Sequence, residues 1–336
     1  MLRSRFFGAL LAALLLLPLS ASAADFTMNF GTVAPAGTPW ADQLEGIKQQ
    51  IESKSEGRIK VRLFLGGVMG GEVEMVRDIM EGGRLQAGGF STAAVATGAN
   101  VPALQIPELP FLFNDLAEAD HVLDTVLYAP IKKKMKRRGL LLSMWAENGW
   151  RSFYTKNKEI HTLADLAEHK MRTQESKVHK KMYDALGVQA EPIPTPEVLD
   201  ALTRGTVDGF DNTSLFGQAS GWFEPTKFYT LSRHIYQPAA IVFSQSWYDS
   251  LPDDLKPIID GLQASEQAKG RKGVRDLESE LLANFKEFGM TVYEPTAAEL
   301  APFKAAVQPV YAELRDEMGA ELVDAVLAAL TARRAQ

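Results

Sequence analysis

The segment from Phe26 to Phe90 alternates short apolar strands with amphipathic helices, and this alternation constrains the fold more than any other feature of the chain. Phe26-Thr27-Met28-Asn29-Phe30-Gly31 and Arg58-Ile59-Lys60-Val61-Arg62-Leu63-Phe64 repeat apolar side chains with the period of two expected of a half-buried strand. Between them, residues 40–53 place Leu44, Ile47 and Ile51 at helical spacing. A short helix over 72–80 ends at Gly82-Gly83, and residues 85–90 form a third strand that runs into Ser91-Thr92. The order β-loop-α-β-α-β predicts an α/β protein with a largely parallel sheet. Ligands of such sheets bind beyond the carboxyl ends of the strands, here residues 33–38 and 90–92.

The alternation resumes near residue 139. Strands are expected over 139–145 and 152–155, with Asn148-Gly149 as a turn that marks a domain crossing. Thr162 is an N-cap for a short helix. Strands over 170–172 and 206–210 bracket helices over 176–186 and 196–203, the latter opened by Pro196. A strand over 235–243 and a long polar-faced helix from 253 to 281 then lead back toward the first half. With 336 residues the chain exceeds the usual size of one core, so two domains are expected.

The first residues read as a secretory leader. Arg3 and Arg5 precede the apolar run Gly8–Leu17, and Ala21-Ser22-Ala23 supplies small residues for cleavage after Ala23 or Ala24. The run is too short for a comfortable membrane span. The chain has no cysteine, which fits a periplasmic protein with a core large enough to need no disulfides. It also excludes thiolate metal sites, cysteine nucleophiles and a lipid-anchored cysteine. Net charge is −6, and loss of Arg3 and Arg5 leaves 34 − 42 = −8, a poor match to nucleic acid.

The chain has no Gly-x-Ser-x-Gly elbow, no phosphate-binding loop, no Gly-x-Gly-x-x-Gly and no His-Glu-x-x-His. His121, His161, His169 and His179 read as exposed or capping residues, and no two of the five histidines have metal spacing on one helix face. Arg151, Arg172 and Asn212 are each ordinary alone: two surface ion pairs and a turn amide. Asp208 and Asp211 lack the spacing of a calcium loop. No metal, cofactor or catalytic group is expected.

Read in order, these stretches resemble the substrate-binding proteins of tripartite ATP-independent periplasmic (TRAP) transporters, the dicarboxylate-binding type in particular. The resemblance covers nearly the whole mature chain. Its motifs are Pro107-Glu108-Leu109-Pro110-Phe111-Leu112-Phe113, Glu147-Asn148-Gly149-Trp150-Arg151, Asp165-Leu166 to Lys170-Met171-Arg172, Glu197-Val198 to Ala201-Leu202, and Gly205-Thr206-Val207-Asp208-Gly209 up to Asn212. It implies two α/β domains around a hinged cleft, with crossing strands and a long domain-spanning helix. The expected division is a leader over 1–24, a first domain of 25–149 plus 238–277, and a second of 150–237 plus 278–336.

The resemblance also implies site roles. The arginine that forks onto the ligand carboxylate falls on Arg172, a second anion contact on Arg151, and an amide contact on Asn212. Glu72, Phe90, Ser91 and Thr92 fall in the regions that line the cleft, with Thr195 and His234 as further candidates. Trp150, Trp222 and Phe216 are expected to form an aromatic wall. The implied function is capture of an organic acid anion, foremost a C4-dicarboxylate, for a membrane permease. Alternatives are a monocarboxylate, keto acid or sugar acid in the same role, or a ligand sensor without transport. The protein is expected to be periplasmic and monomeric. The stretch departs from the family at Glu168-His169 and Thr173-Gln174, which bears on which acid is bound.

Overall fold

The computed structural model of the protein describes residues 24–335, so the leader expected over 1–24 lies outside it except for Ala24. Nine strands form one sheet: β1 (Phe26–Thr32), β2 (Ile59–Phe64), β3 (Ala87–Ser91), β4 (Leu140–Thr155), β5 (Met171–Thr173), β6 (Ala190–Pro192), β7 (Gly209–Thr213), β8 (Phe228–Ser244) and β9 (Thr291–Tyr293). The order is β2-β1-β3-β8-β4-β7-β5-β6, with β9 on β8. At one end β2, β1 and β3 are parallel, and at the other β7, β5 and β6 are parallel. Between them β4 and β8 run antiparallel to each other over their whole length. Each end is the α/β arrangement that the strand–helix alternation predicts.

The two central strands carry the chain between the halves. β4 pairs with β7 through residues 151–155, while β8 pairs with β3 through residues 239–243. At about 3.3 Å per residue, a strand of 16 or 17 residues spans roughly 50 Å. Here the structure corrects the expected turn at Asn148-Gly149. Residues 140–155 are one strand, and the irregularity is a register shift between Glu147 and Gly149, with Gly149 at φ 107°. A bulge accommodates an extra residue and bends the strand without ending it. β8 likewise begins at Phe228, seven residues before the expected start, across a second irregularity where Arg233 adopts φ 43°.

β7 lies three residues later than expected, which moves Asp211 and Asn212 from a turn into a buried strand. The long helix expected over 253–281 is a run of segments, Lys256–Asp260, Leu262–Arg275 and Glu278–Glu287, interrupted at Gly261 and at Asp276-Leu277. It still spans the molecule. The middle segment packs on β4 and helix Pro39–Lys54, and the last on helix Ser214–Ala219 of the other half. The helices over 92–136 and the C-terminal pair Ala297–Met318 and Ala320–Arg334 were not anticipated. The first of that pair packs on helix Lys177–Ala185 and on the 102–108 segment, bracing both halves. Among the described residues no helix is long and apolar enough to cross a membrane.

Candidate functional site

The carboxyl ends of β1 and β3 face those of β5 and β7, and the cavity between them is the candidate site. Thr32, Glu72, Phe90 and Ser91 line it from the first half, and Arg172, Gln174, Thr195, Asn212 and Phe216 from the second. Asn148, Arg151 and Gln237 reach it from the crossing strands. The halves touch across it. Gln174 Nε2 donates to Ser91 Oγ at 2.6 Å and to Glu72 Oε2 at 3.3 Å, and Thr97 Oγ1 donates to the carbonyl of Glu175 at 2.8 Å. Trp40 and Phe216 meet at 5.9 Å between ring centroids.

The two arginines occupy different electrostatic situations. Arg151 is fully buried. Its Nε donates to Asp211 Oδ2 at 2.6 Å, its Nη2 to the Asp211 carbonyl, and its Nη1 to Gln237 Oε1 at 2.8 Å and Asn212 Oδ1 at 3.3 Å. Burial works against its charge, but Asp211 outweighs burial and raises its pKa. Asp211 also accepts from Tyr183 Oη at 2.8 Å. Burial pushes the Asp211 carboxyl up, yet the charge of Arg151 and the approach of His234 hold it well below the usual carboxylate range.

Arg172 is 2% exposed and has no carboxylate within 4 Å among the described residues. Its Nε and Nη2 both donate to the carbonyl of Ile193, at 2.9 and 2.6 Å, and its guanidinium lies 5.1 Å over the Trp222 ring. Nη1 has no hydrogen-bond acceptor among the described residues, and the residue lines the cavity. Burial, followed by repulsion from Arg151, depresses Arg172 to about 10.

Glu72 is the opposing charge. It opens helix Glu72–Met80 and accepts from Ser91 N at 2.8 Å and Ser91 Oγ at 3.1 Å. Burial raises its pKa against those two hydrogen bonds. Asn212 has its Oδ1 committed to Arg151 and to Thr213 N, which turns its Nδ2 donor free of them.

Seven of the nine expected site residues line the cavity: Arg172, Arg151, Asn212, Glu72, Phe90, Ser91 and Thr195. Thr92 and His234 do not. Thr92 turns away from the cavity, its hydroxyl bonded to Glu108 and to the carbonyl of Pro238. His234 stacks on Phe153 at 4.1 Å and approaches Asp211 from behind, at 3.4 Å. Of the expected aromatic wall, Phe216 lines the cavity and Trp222 underlies Arg172, whereas Trp150 packs on Tyr236 away from it. His179 and His169 are buried rather than exposed, paired with Glu108 and Asp208. Among the described residues no cluster of three or more metal-ligating side chains occurs.

Several lining residues escaped the sequence reading, among them the polar Gln174, Gln237 and Asn148. Gln174 follows Arg172 by two residues, so a strand reading already puts both on one face. Gln237 is a polar residue inside the apolar run Ile235 to Phe243. Its Nε2 donates to Glu108 Oε2 and to Gln174 Oε1, each at 2.8 Å, which ties the cavity floor to the buried Glu108–His179 pair.

The fold and sequence recur in known proteins. The sequence model of "Bacterial extracellular solute-binding protein, family 7" matches residues 30–317. The chain is 28% identical over 341 residues to the C4-dicarboxylate-binding periplasmic protein DctP of Rhodobacter capsulatus, covering 98% of this chain and 99% of that one. A sugar acid binding protein of Advenella mimigardefordensis, solved with galactonate, superposes with a TM-score of 0.88 at 29% identity, covering 94% of this chain and all of the other. A TRAP periplasmic solute-binding protein of Polaromonas, solved with D-erythronate, gives 0.84 at 30% identity, covering 90% and 98%. The chain belongs to this family, the DctP-type solute-binding proteins of TRAP transporters.

Proposed function

We propose that the protein captures a hydroxylated monocarboxylate, of the aldonic or uronic acid class, in the cleft and delivers it to a TRAP permease. The observation that carries the reading is Arg172, a buried guanidinium on the cavity wall with no carboxylate within 4 Å among the described residues. A ligand carboxylate completes the pair through the free edge of the guanidinium, with charge-assisted hydrogen bonds worth about 1.5–3 kcal/mol each. The halves close on the ligand by bending along β4 and β8, and the Gln174 contacts to Ser91 and Glu72 then bridge the closed cleft.

The charge count favours one carboxylate over two. Arg151 is neutralised by Asp211, so Arg172 is the one cation left unpaired among the described residues that line the cavity, and the buried carboxylate of Glu72 shares it. A dicarboxylate would place its second charge near Glu72, where no further unpaired cation lines the cavity among the described residues. A hydroxyl group suits Glu72 as acceptor, and the amide of Asn212 suits a hydroxyl oxygen as donor. The galactonate and D-erythronate in the two solved relatives, each at 29–30% identity, belong to this chemical class. The C4-dicarboxylate reading keeps the support of the Rhodobacter capsulatus relative.

The family supports a periplasmic location and the leader motif supports export with cleavage after Ala23 or Ala24; we take the protein to act as a monomer. A thermal-shift screen with galactonate, glucuronate, erythronate, succinate, malate and neutral galactose tests the ligand class, because a bound ligand stabilises by mass action. Stabilisation by hydroxylated monocarboxylates supports the proposal. Stabilisation by succinate alone, or by the neutral sugar as strongly as by the acids, contradicts it.

A further inference from the structure

The helix Tyr128–Lys136 and the turn after it carry Lys132-Lys133-Lys134-Met135-Lys136-Arg137-Arg138, six cations in seven residues of a chain whose net charge is −6. Buried Ile131 and Met135 hold the helix on the core, and Tyr128 Oη donates to the carbonyl of Ser143 at 2.7 Å. Two of the cations have local roles. Lys132 lies 5.4 Å over the Tyr128 ring, and Arg138 Nε donates to the carbonyl of Ala99 at 2.8 Å.

The other four, Lys133, Lys134, Lys136 and Arg137, are exposed, and none has a carboxylate within 4 Å among the described residues. At 100° per residue they fan over about 160° of the helix, opposite Ile131 and Met135. Asp316 and Glu317 flank a groove shared with Lys134 and Arg137, beyond salt-bridge distance. The helix macrodipole favours cations in the last turn, but it does not call for four on a wide exposed arc.

We propose that this face docks on an anionic phospholipid surface and holds the protein against the membrane. Charge complementarity favours lipid over a protein partner. The four cations span a wide arc, and the exposed large hydrophobic residues among the described residues, Val68, Leu199, Phe288 and Leu327, are not on this helix, so it lacks the apolar anchor of a specific protein interface. Three of these four cations are lysines, point charges that read charge density rather than a planar fork. Clusters of four or more such residues bind anionic headgroups. The patch precedes β4, and the cavity residues Ala146 and Asn148 follow Leu140 by six and eight residues, about 20–27 Å along the strand. Membrane docking therefore leaves the cleft free.

Co-sedimentation with phosphatidylglycerol-containing and pure phosphatidylcholine vesicles, at low and high salt, tests this. Wild-type protein should sediment with the anionic vesicles at low salt, release at high salt and ignore the neutral ones. The Lys133→Glu/Lys134→Glu/Lys136→Glu variant should bind about tenfold or more weakly while keeping its ligand-induced thermal shift. Should that variant fail to fold, Lys133→Ala/Lys134→Ala/Lys136→Ala serves, with a smaller loss in the same direction. Equal binding by variant and wild type, binding to neutral vesicles, or no binding to anionic vesicles at low salt would overturn the proposal. So would capture by an acidic protein surface with no vesicle binding.

Discussion

Arg151 and Arg172 both line the same cavity, but among the described residues Arg151 alone of the two meets a carboxylate: its Nε lies 2.6 Å from Asp211 Oδ2, while Arg172 rests on the carbonyl of Ile193. Chemically equivalent side chains therefore sit in different surroundings. Arg151 is bonded into the cavity floor, with Gln237, Asn212 and Gln174 arranged on its Nη1, whereas Arg172 is the cation that the proposed function assigns to a ligand.

Removing Asp211 should unbalance the floor. Asp211→Asn leaves the Arg151 charge buried without a partner, which costs about 3–5 kcal/mol. The depressed Asp211 pKa fixes the pH dependence. Its stabilisation is fully present above the unfolded carboxylate value of about 3.9 and is lost as pH falls through the lower folded value. Urea unfolding should show the full deficit of Asp211→Asn at neutral pH and a shrinking deficit in acid. A deficit constant with pH would show that the Asp211 charge is not what is lost.

Arg172 should cost stability in the unliganded protein. Replacing this depressed, buried cation with an apolar side chain of similar length removes an unpaired charge. Without ligand, Arg172→Met should therefore unfold at the same or a slightly higher temperature than wild type, since it no longer buries an unpaired charge. A large loss of unliganded stability would mean that Arg172 serves the fold.

Glu72 should govern selectivity. Glu72→Gln removes a negative charge from the cavity and weakens acceptance of a ligand hydroxyl. Affinity for a hydroxylated monocarboxylate should fall by roughly tenfold to a hundredfold, the worth of one charge-assisted hydrogen bond. Succinate, relieved of a like charge, should bind better than it does to wild type. Competitive calorimetry with both acids reads the crossover, and a parallel fall for both would remove Glu72 from the selectivity account.

Gln174 should act on residence time. It joins Ser91 and Glu72 on one side to Gln237 and Arg151 on the other. Gln174→Ala should speed ligand release by about tenfold with little change in association, since interface changes appear mostly in the off-rate. Stopped-flow tryptophan fluorescence separates the two rates.

The fold was legible where periodicity is local. β1, β2 and helix Glu72–Met80 lie where alternation and Gly82-Gly83 put them. It failed at Gly149, because a glycine beside an asparagine signals a turn and a bulge equally, and only the pairing of β4 with β8 over both sides tells them apart. The three-residue displacement of β7 arose in the same way: Asp211 and Asn212 have turn chemistry, and the partners that keep them in a strand, Arg151 and Ser152, are about sixty residues away. In the site, the resemblance located Arg172, Arg151 and Asn212 at the cavity. It did not reveal that Asp211 neutralises Arg151, or that His179 is buried against Glu108, since both depend on which faces the crossing strands turn inward.

Isothermal titration of wild type, Arg172→Lys and Arg172→Ala with the acid that gives the largest thermal shift tests the central claim, that Arg172 holds the ligand carboxylate. Lysine keeps the charge but cannot fork, so Arg172→Lys should lose affinity by about a hundredfold or more, and Arg172→Ala should show no measurable binding while remaining folded. Near-native affinity in both variants would contradict the assignment and move the anion site away from Arg172.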